Sequence, residues 1–421
     1  MSRIFPVAIL LLLLAGRASA ETVTLRDALQ RVADHNHELK VAAYDEQIVE
    51  ENIQTARSGY LPRVDSQGGF TAQKDAQAVL FNNNALPTQE ADYFFFNAAL
   101  TQTIYDFGRT SARYQRSIVL KEAAANDYKS RSQELFLQTV QTYYGILEGK
   151  RLLLASEEEV RQMTDHRRVA QNLYEQGVVT RNDLLQAEVR LASSEQRRLA
   201  LANRVENGWL QLNYLTGAPP EFRAELEERQ DLPPAPAESG VETALANRPE
   251  LKAMENLVAA SELEVKESRG GYLPELFGRL AVDYLQNKWV REQAIMSATV
   301  GLKINLFDGL TTTARYRQAV KLRSQNEEKL RQLEAQSRLE YQSATNDAQV
   351  AAAQIGVTET SIRQADENLR INRDRYQEHV GTATDVIDAQ TLLTQARAEN
   401  YRAVFNYQVA VARIKKALGE L

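Results

Sequence analysis

Four histidines, no cysteine and scattered carboxylates are what this 421-residue chain offers to chemistry. The densest group is His35-Asn36-His37-Glu38, whose imidazoles and carboxylate could begin a metal site. A closed site needs further His or Cys donors, and no second cluster supplies them, so no metal is expected. The lack of cysteine also removes thiolate ligands, disulfides, a cysteine nucleophile and a lipid-modified N-terminal cysteine. Neither a glycine-rich phosphate loop nor a Gly-x-Ser-x-Gly elbow occurs, so no catalytic residue and no cofactor is expected. Asp385 and Asp388 stand out by spacing, because residues three apart share one helical face. Such a pair either attracts cations or sits where acids favour a helix N-terminus. With Lys+Arg 50 against Asp+Glu 56, a nucleic-acid partner is not expected.

The elements that position these residues begin with a segment outside the fold. Arg3, the apolar run Ile4 to Ala15, and Ala18-Ser19-Ala20 read as a signal peptide over residues 1–20. The rest is written twice. His37-Glu38-Leu39-Lys40 recurs as Pro249-Glu250-Leu251-Lys252, and Gly59-Tyr60-Leu61-Pro62 recurs as Gly271-Tyr272-Leu273-Pro274. Tyr105-Asp106-Phe107-Gly108 faces Leu306-Phe307-Asp308-Gly309, and the segment from Leu173 to Glu188 faces that from Arg375 to Gln390. The first repeat spans 21–217 and the second 241–421, with a Pro-rich linker, 218–240, read as irregular.

Each repeat has one order of elements. A helix stopped by Gly-Tyr-Leu-Pro leads into two alternating stretches, at about 61–106 and 274–307. Val64, Ser66, Gly68 and Phe70 oppose Asp65, Gln67 and Thr71, while Phe94, Phe96, Ala98, Leu100 and Ile104 oppose Asn97, Thr101 and Thr103. Leu276, Gly278, Leu280, Val282 and Tyr284 form a third stripe, and Met296, Ala298, Val300, Leu302 and Ile304 a fourth. Period two with one apolar face is a strand between two environments. A membrane barrel suits strands of this length better than a soluble sandwich built from two hairpins. From Gly108 and Gly309 run helical segments of about 100 Å, ending near Tyr174 and Tyr376. Ile355, Ile362, Leu369 and Tyr376 repeat every seven residues, as do Ile146, Leu153 and Val160, so these are coiled coils. Turns at about 175–182 and 377–384 send shorter helices back. Four strands cannot close a barrel and open edges are not tolerated in lipid. The chain therefore oligomerises, and three copies would supply twelve strands.

The duplicated order, the paired Gly-Tyr-Leu-Pro and Asp-Phe-Gly or Phe-Asp-Gly junctions, and Val380-Gly381-Thr382-Ala383-Thr384-Asp385-Val386-Ile387-Asp388 together resemble the TolC family of outer-membrane efflux proteins. The resemblance covers residues 21–421. It implies a mixed α and β membrane protein: a homotrimer whose twelve-stranded β-barrel, four strands per chain, sits in outer-membrane lipid and continues as a long α-helical coiled-coil barrel through the periplasm. It implies a passive exit duct for a tripartite efflux pump or a type I secretion system. The partners would be a periplasmic adaptor protein and an inner-membrane transporter of RND, ABC or MFS type. By motif match, Asp385 and Asp388 would form the selectivity ring at the periplasmic entrance. Tyr376 and Asp183 would hold neighbouring helices in the closed state. The tips at Gly177, Val178, His379, Val380, Gly381 and Thr382 would dock the adaptor. His379 departs from the family, which usually has glycine there. The alternative from another class is a soluble periplasmic coiled-coil adaptor or scaffold, which would not need four stripes with lipid-compatible faces.

Overall fold

The computed structural model describes residues 22–228, 240–378 and 380–421. The expected signal peptide, the middle of the linker and His379 lie outside the described residues. Strand β1 (Thr22–Val23) is followed by α1 (Leu25–His35), which opens on a capping box: the Asp27 amide donates to Thr24 Oγ1 and the Thr24 amide to Asp27 Oδ2, both at 3.1 Å. Asn36 then caps α2 (His37–Arg57). Its Oδ1 accepts from the Glu38 amide at 2.8 Å, and its own amide group donates to the Leu215 carbonyl at 2.9 Å. The His-Asn-His-Glu group is thus a buried cap between two exposed imidazoles.

Strands β2 (Arg63–Ala72), β3 (Ala78–Phe81), β4 (Asn84–Pro87) and β5 (Asp92–Tyr105) precede the first long helix, α3 (Arg109–Glu175), and its return, α4 (Arg181–Thr216). Within the Pro-rich stretch, β6 (Glu225–Leu226) pairs in parallel with β1. The second half repeats the order as α5 (Val241–Asn247), α6 (Pro249–Gly270), β7 (Glu275–Leu285), β8 (Ala294–Lys303), α7 (Thr311–Gln377) and α8 (Ala383–Ala417). Helices α3 and α7 each have 67 residues, about 100 Å of helix.

The main sheet is antiparallel with the order β2-β5-β7-β8. Its register aligns the period-two stripes into rows. Val64, Leu100, Leu280 and Ala298 share one row, and Ser66, Ala98, Val282 and Met296 the next. The opposite face carries Arg63, Thr101, Arg279 and Thr299, then Gln67, Asn97 and Asp283. A bulge after Thr103 sets Tyr105 opposite Leu276, so the polar alternation ends before the strand does.

The helices meet along heptad seams. On α7, Ala351, Ile355 and Leu369 are buried against Ala403, Tyr407, Ala389 and Leu393 of α8. On α3 the seam runs through Gly149, Ser156, Met163 and Ala170. Leu153 and Val160, expected on it, are only half-buried. Two glycines allow this approach: a Cβ on Gly149 would lie 2.9 Å from Val205 of α4, and one on Gly208 would lie 2.8 Å from Ile146 of α3. The largest core gathers Tyr143, Ile146 and Leu147 of α3, Trp209 and Leu212 of α4, Phe405 of α8, and Val23 and Leu226 of the β1–β6 pair. The Tyr143 hydroxyl lies 2.9 Å from the Val23 carbonyl and 2.8 Å from that of Glu227, tying this short pair to the long helix.

Candidate functional site

The site is a wall with two faces, two flanks and two ends. Its outer face is apolar and bare. Val64, Phe70, Phe94 and Leu302 are exposed, Met296 is 83% and Val300 75% accessible. A sandwich would cover this stripe with a second sheet, whereas here the four strands form one layer. Where the strands meet the helices, Tyr60, Tyr105, Phe107, Tyr272 and Phe307 form an exposed aromatic collar, the residue type that settles at a membrane–water interface. Among the described residues no helix is long and apolar enough to cross a membrane.

Strand turns into helix through the same device in both repeats. Asp106 Oδ2 accepts from the Thr110 amide at 2.8 Å, and Asp308 Oδ2 accepts from the Thr312 amide at 3.0 Å, capping α3 and α7. Between cap and helix the chain is left-handed, at φ 55° for Phe107 and 87° for Gly108, and at 67° for Gly309 and 70° for Leu310. Phe107 and Leu310 are β-carbon-bearing residues in a region that costs them energy, and each redirects the chain from the sheet into the helix. The Asp308 carboxyl is held below the usual carboxylate range, first by the Thr312 hydroxyl.

Among the described residues, each level of the wall ends in flanks that no other element covers. Neighbouring contacts run α2–α3–α6–α7 near the sheet and α4–α3–α8–α7 further down. The flanking helices carry exposed apolar side chains: Val41, Tyr44 and Ile48 on α2, Leu185 and Leu199 on α4, and Val350 and Val357 on α7. In the sheet the flanks are β2 and β8. Because four antiparallel strands alternate in direction, β2 and β8 run oppositely, and β8 of one copy can pair antiparallel with β2 of the next.

At the far end the tips are built alike. The Val178 amide donates to the Leu173 carbonyl at 2.9 Å over Gly177, whose φ is 71°, a left-handed helix stop. The Val380 and Gly381 amides both donate to the Arg375 carbonyl, at 2.8 and 3.0 Å. Val178 and Val380 are exposed. Thr180 caps α4 and Thr382 caps α8, each in a capping box with the aspartate three residues on. Asp385 is therefore a cap residue, held below the usual carboxylate range first by the Thr382 backbone and then by its hydroxyl. Asp388 is exposed beyond it. The hydrogen bonds of Asp183 go to Thr180, and Tyr376 is 45% exposed near the end of α7. Thr180 was not singled out from sequence, although Thr-x-x-Asp before an apolar run is the signature of such a cap.

An amphipathic four-stranded sheet continued by long coiled coils marks the chain as a channel protein of the outer-membrane type. The chain belongs to the outer membrane efflux protein family, whose model matches residues 28–218 and again 240–420. Two matches reproduce the internal repeat. Among curated proteins it is 24% identical to the alkaline protease secretion protein AprF of Pseudomonas aeruginosa, over 97% of this chain and 87% of that one. It is also 24% identical to the outer membrane protein TolC of Escherichia coli, over 100% and 87%. Among solved structures it superposes on the CmeC outer membrane channel of Campylobacter jejuni with TM-score 0.85 at 16% identity, covering 94% and 85% of the two chains. On VceC of Vibrio cholerae the TM-score is 0.79 at 16% identity, covering 94% and 96%. The protein is an outer-membrane exit duct with the TolC-like fold.

Proposed function

We propose that three copies close into a twelve-stranded barrel, set in outer-membrane lipid and continued by a ring of coiled coils through the periplasm. The observation that carries this is the four-stranded sheet with an apolar outer face and two oppositely directed free edges. Two copies would give about eight strands, a barrel whose interior side chains fill. Three is the smallest ring with an open lumen. The exposed apolar side chains of α2, α4 and α7 support closure at every level.

The duct conducts passively and catalyses nothing. An inner-membrane transporter, of RND, ABC or MFS type, supplies the energy, and a periplasmic adaptor joins it to the tips around Gly177–Val178 and Val380–Thr382. The relatives named for protease secretion and for efflux support an exit duct serving either a tripartite pump or a type I secretion system. Asp385 and Asp388 line the entrance as a ring of negative charge, with Tyr376 and Asp183 contributing to closure. Outer-membrane fractionation followed by native mass measurement tests the assembly: three chains in outer-membrane vesicles are expected. A free monomer in the periplasm would support the adaptor reading instead.

A further inference from the structure

The connection between β2 and β5 carries a feature the duct does not use. Strands β3 and β4 form a separate two-stranded hairpin around Asn82 and Asn83, at φ 47° and 62°, and all eight strand residues are exposed. Pairing Val79 with Leu86 and Leu80 with Ala85 makes both faces apolar: Val79, Phe81 and Leu86 lie on one, Leu80, Ala85 and Pro87 on the other. From Ala76 to Gln89 there is no charged residue. Exposed, uncharged apolar strands of this kind invite pairing or burial.

The base of the hairpin is fixed. Asn287, 3% exposed in the β7–β8 connection, donates from its side-chain amide to the Thr88 carbonyl at 2.8 Å, and Thr88 closes the hairpin by donating its amide to the Gln77 carbonyl at 2.8 Å. Just below, the inner face of the sheet mixes apolar side chains with its polar ones: a recess of about 580 Å³, its accessible lining mostly apolar, is formed by Tyr93, Phe95, Leu285, Val290 and Ile295 beside Asn97, Asp283 and Glu292. An inward-leaning hairpin therefore meets a mostly apolar bed.

We propose that the hairpins of the three copies lean over these recesses and pack on one another at the barrel axis, forming an apolar plug in the outer mouth. This rests on the trimeric barrel proposed above. Each hairpin's occupant is the same hairpin of the other copies. Reach agrees: twelve strands about 4.8 Å apart and tilted by about 40° close at a radius of roughly 12 Å. Four strand residues at about 3.3 Å each span roughly 13 Å, the distance from wall to axis. Continuity agrees as well, because the hairpin extends β2, the strand that meets the next copy. Insertion into the outer leaflet is the competing occupant, but a hairpin without Lys or Arg has no attraction for an anionic lipid surface.

The chain has no cysteine, so L80C and F81C place single thiols on opposite hairpin faces. Copper-phenanthroline oxidation of the full-length protein in outer-membrane vesicles should yield disulfide-linked pairs of chains from at least one of them. M296C, on the outer face of the wall, should yield none. Hairpins standing upright on the rim would be held roughly 20 Å apart by a 12 Å radius, far outside disulfide reach of about 7 Å between Cα atoms. Failure of both variants to cross-link in a protein that runs as three chains overturns the plug. Spin labels at Leu80 and Phe81 quenched from the lipid phase overturn it in favour of the outer leaflet. A native mass other than three chains overturns the assembly itself, and the plug with it.

Discussion

Thr382 and Asp385 hold each other across the first turn of α8: the Thr382 amide donates to Asp385 Oδ2 at 2.9 Å, and the Asp385 amide donates back to Thr382 Oγ1 at 3.2 Å. Thr180 and Asp183 repeat the exchange at 2.9 and 3.3 Å in the other half. One of the two aspartates assigned to the entrance ring is thus also the residue that starts its helix. A carboxylate that accepts its own cap's N–H stays ionised and stays pointed, which suits a fixed charge at a narrow opening.

The sign of the pH dependence follows. Asp385 titrates below its ordinary value of 3.8 because the Thr382 backbone and hydroxyl favour the charged form. A lowered value adds stability that is full above the unfolded value and is lost as pH falls through the folded one. In D388A, where Asp385 alone carries the ring, cation preference should persist from neutral pH down to 3.8 and fade only below it. Reversal potentials across a salt gradient measure this. Preference that fades between about pH 5 and 6 would mean that crowding in the ring outweighs the cap.

Removing both carboxylates separates selectivity from closure. D385A/D388A should lose cation preference and block by multivalent cations while trimers still form. Y376F should raise conductance with selectivity nearly unchanged. Single-channel recordings of the two variants distinguish these outcomes, and unaltered cation block in the aspartate variant would make the pair ordinary helix-surface acids.

Flank residues test the ring from another side. Tyr44 and Ile48 are 64% and 60% exposed on α2, and truly solvated positions tolerate substitution within about 0.5 kcal/mol. If they face the next copy, Y44D/I48D should abolish trimers while leaving helix content unchanged by circular dichroism. Q54K, at an exposed position of the same helix, should assemble normally.

Two glycines of α3, one helical turn apart, make opposite predictions. A Cβ on Gly145 meets nothing within 4 Å, whereas one on Gly149 meets Val205 at 2.9 Å. G145A should stabilise by about 0.5–1 kcal/mol through helix propensity, and G149A should destabilise by about 1–3 kcal/mol through overpacking. Thermal unfolding of the two variants against the parent shows whether α3 and α4 approach this closely.

What could be read from the sequence was whatever has a period or a stop signal. Gly108 and Gly177 bracket α3, and Val300 and Thr299 show their opposite faces in the alternation alone. What escaped depended on partners far along the chain. Strands β1 and β6 are two residues each, too short for any pattern, and exist because Tyr143 holds them together. Leu152, Leu153 and Leu154 are equivalent on paper. Only the packing of the neighbouring helices decides that Leu152 is buried and Leu154 is 57% exposed. The β3–β4 hairpin is marked in the sequence only by Asn82-Asn83 between apolar pairs, a turn signal that the longer alternation on either side of it obscures. Within the chain Asp183 bonds to Thr180, its own helix cap.

In the proposed barrel the apolar stripe of the sheet faces lipid and its reverse faces water. Val300 and Thr299 are neighbours on β8 and point to opposite faces. Refolding of V300R and T299R into lipid vesicles, followed by heat-modifiable mobility on gels, compares the two directly. V300R should cost about 2–4 kcal/mol near the bilayer midplane and fail to assemble, while T299R should assemble and conduct. Equal assembly of both variants would contradict the barrel and return the four strands to a water-soluble protein.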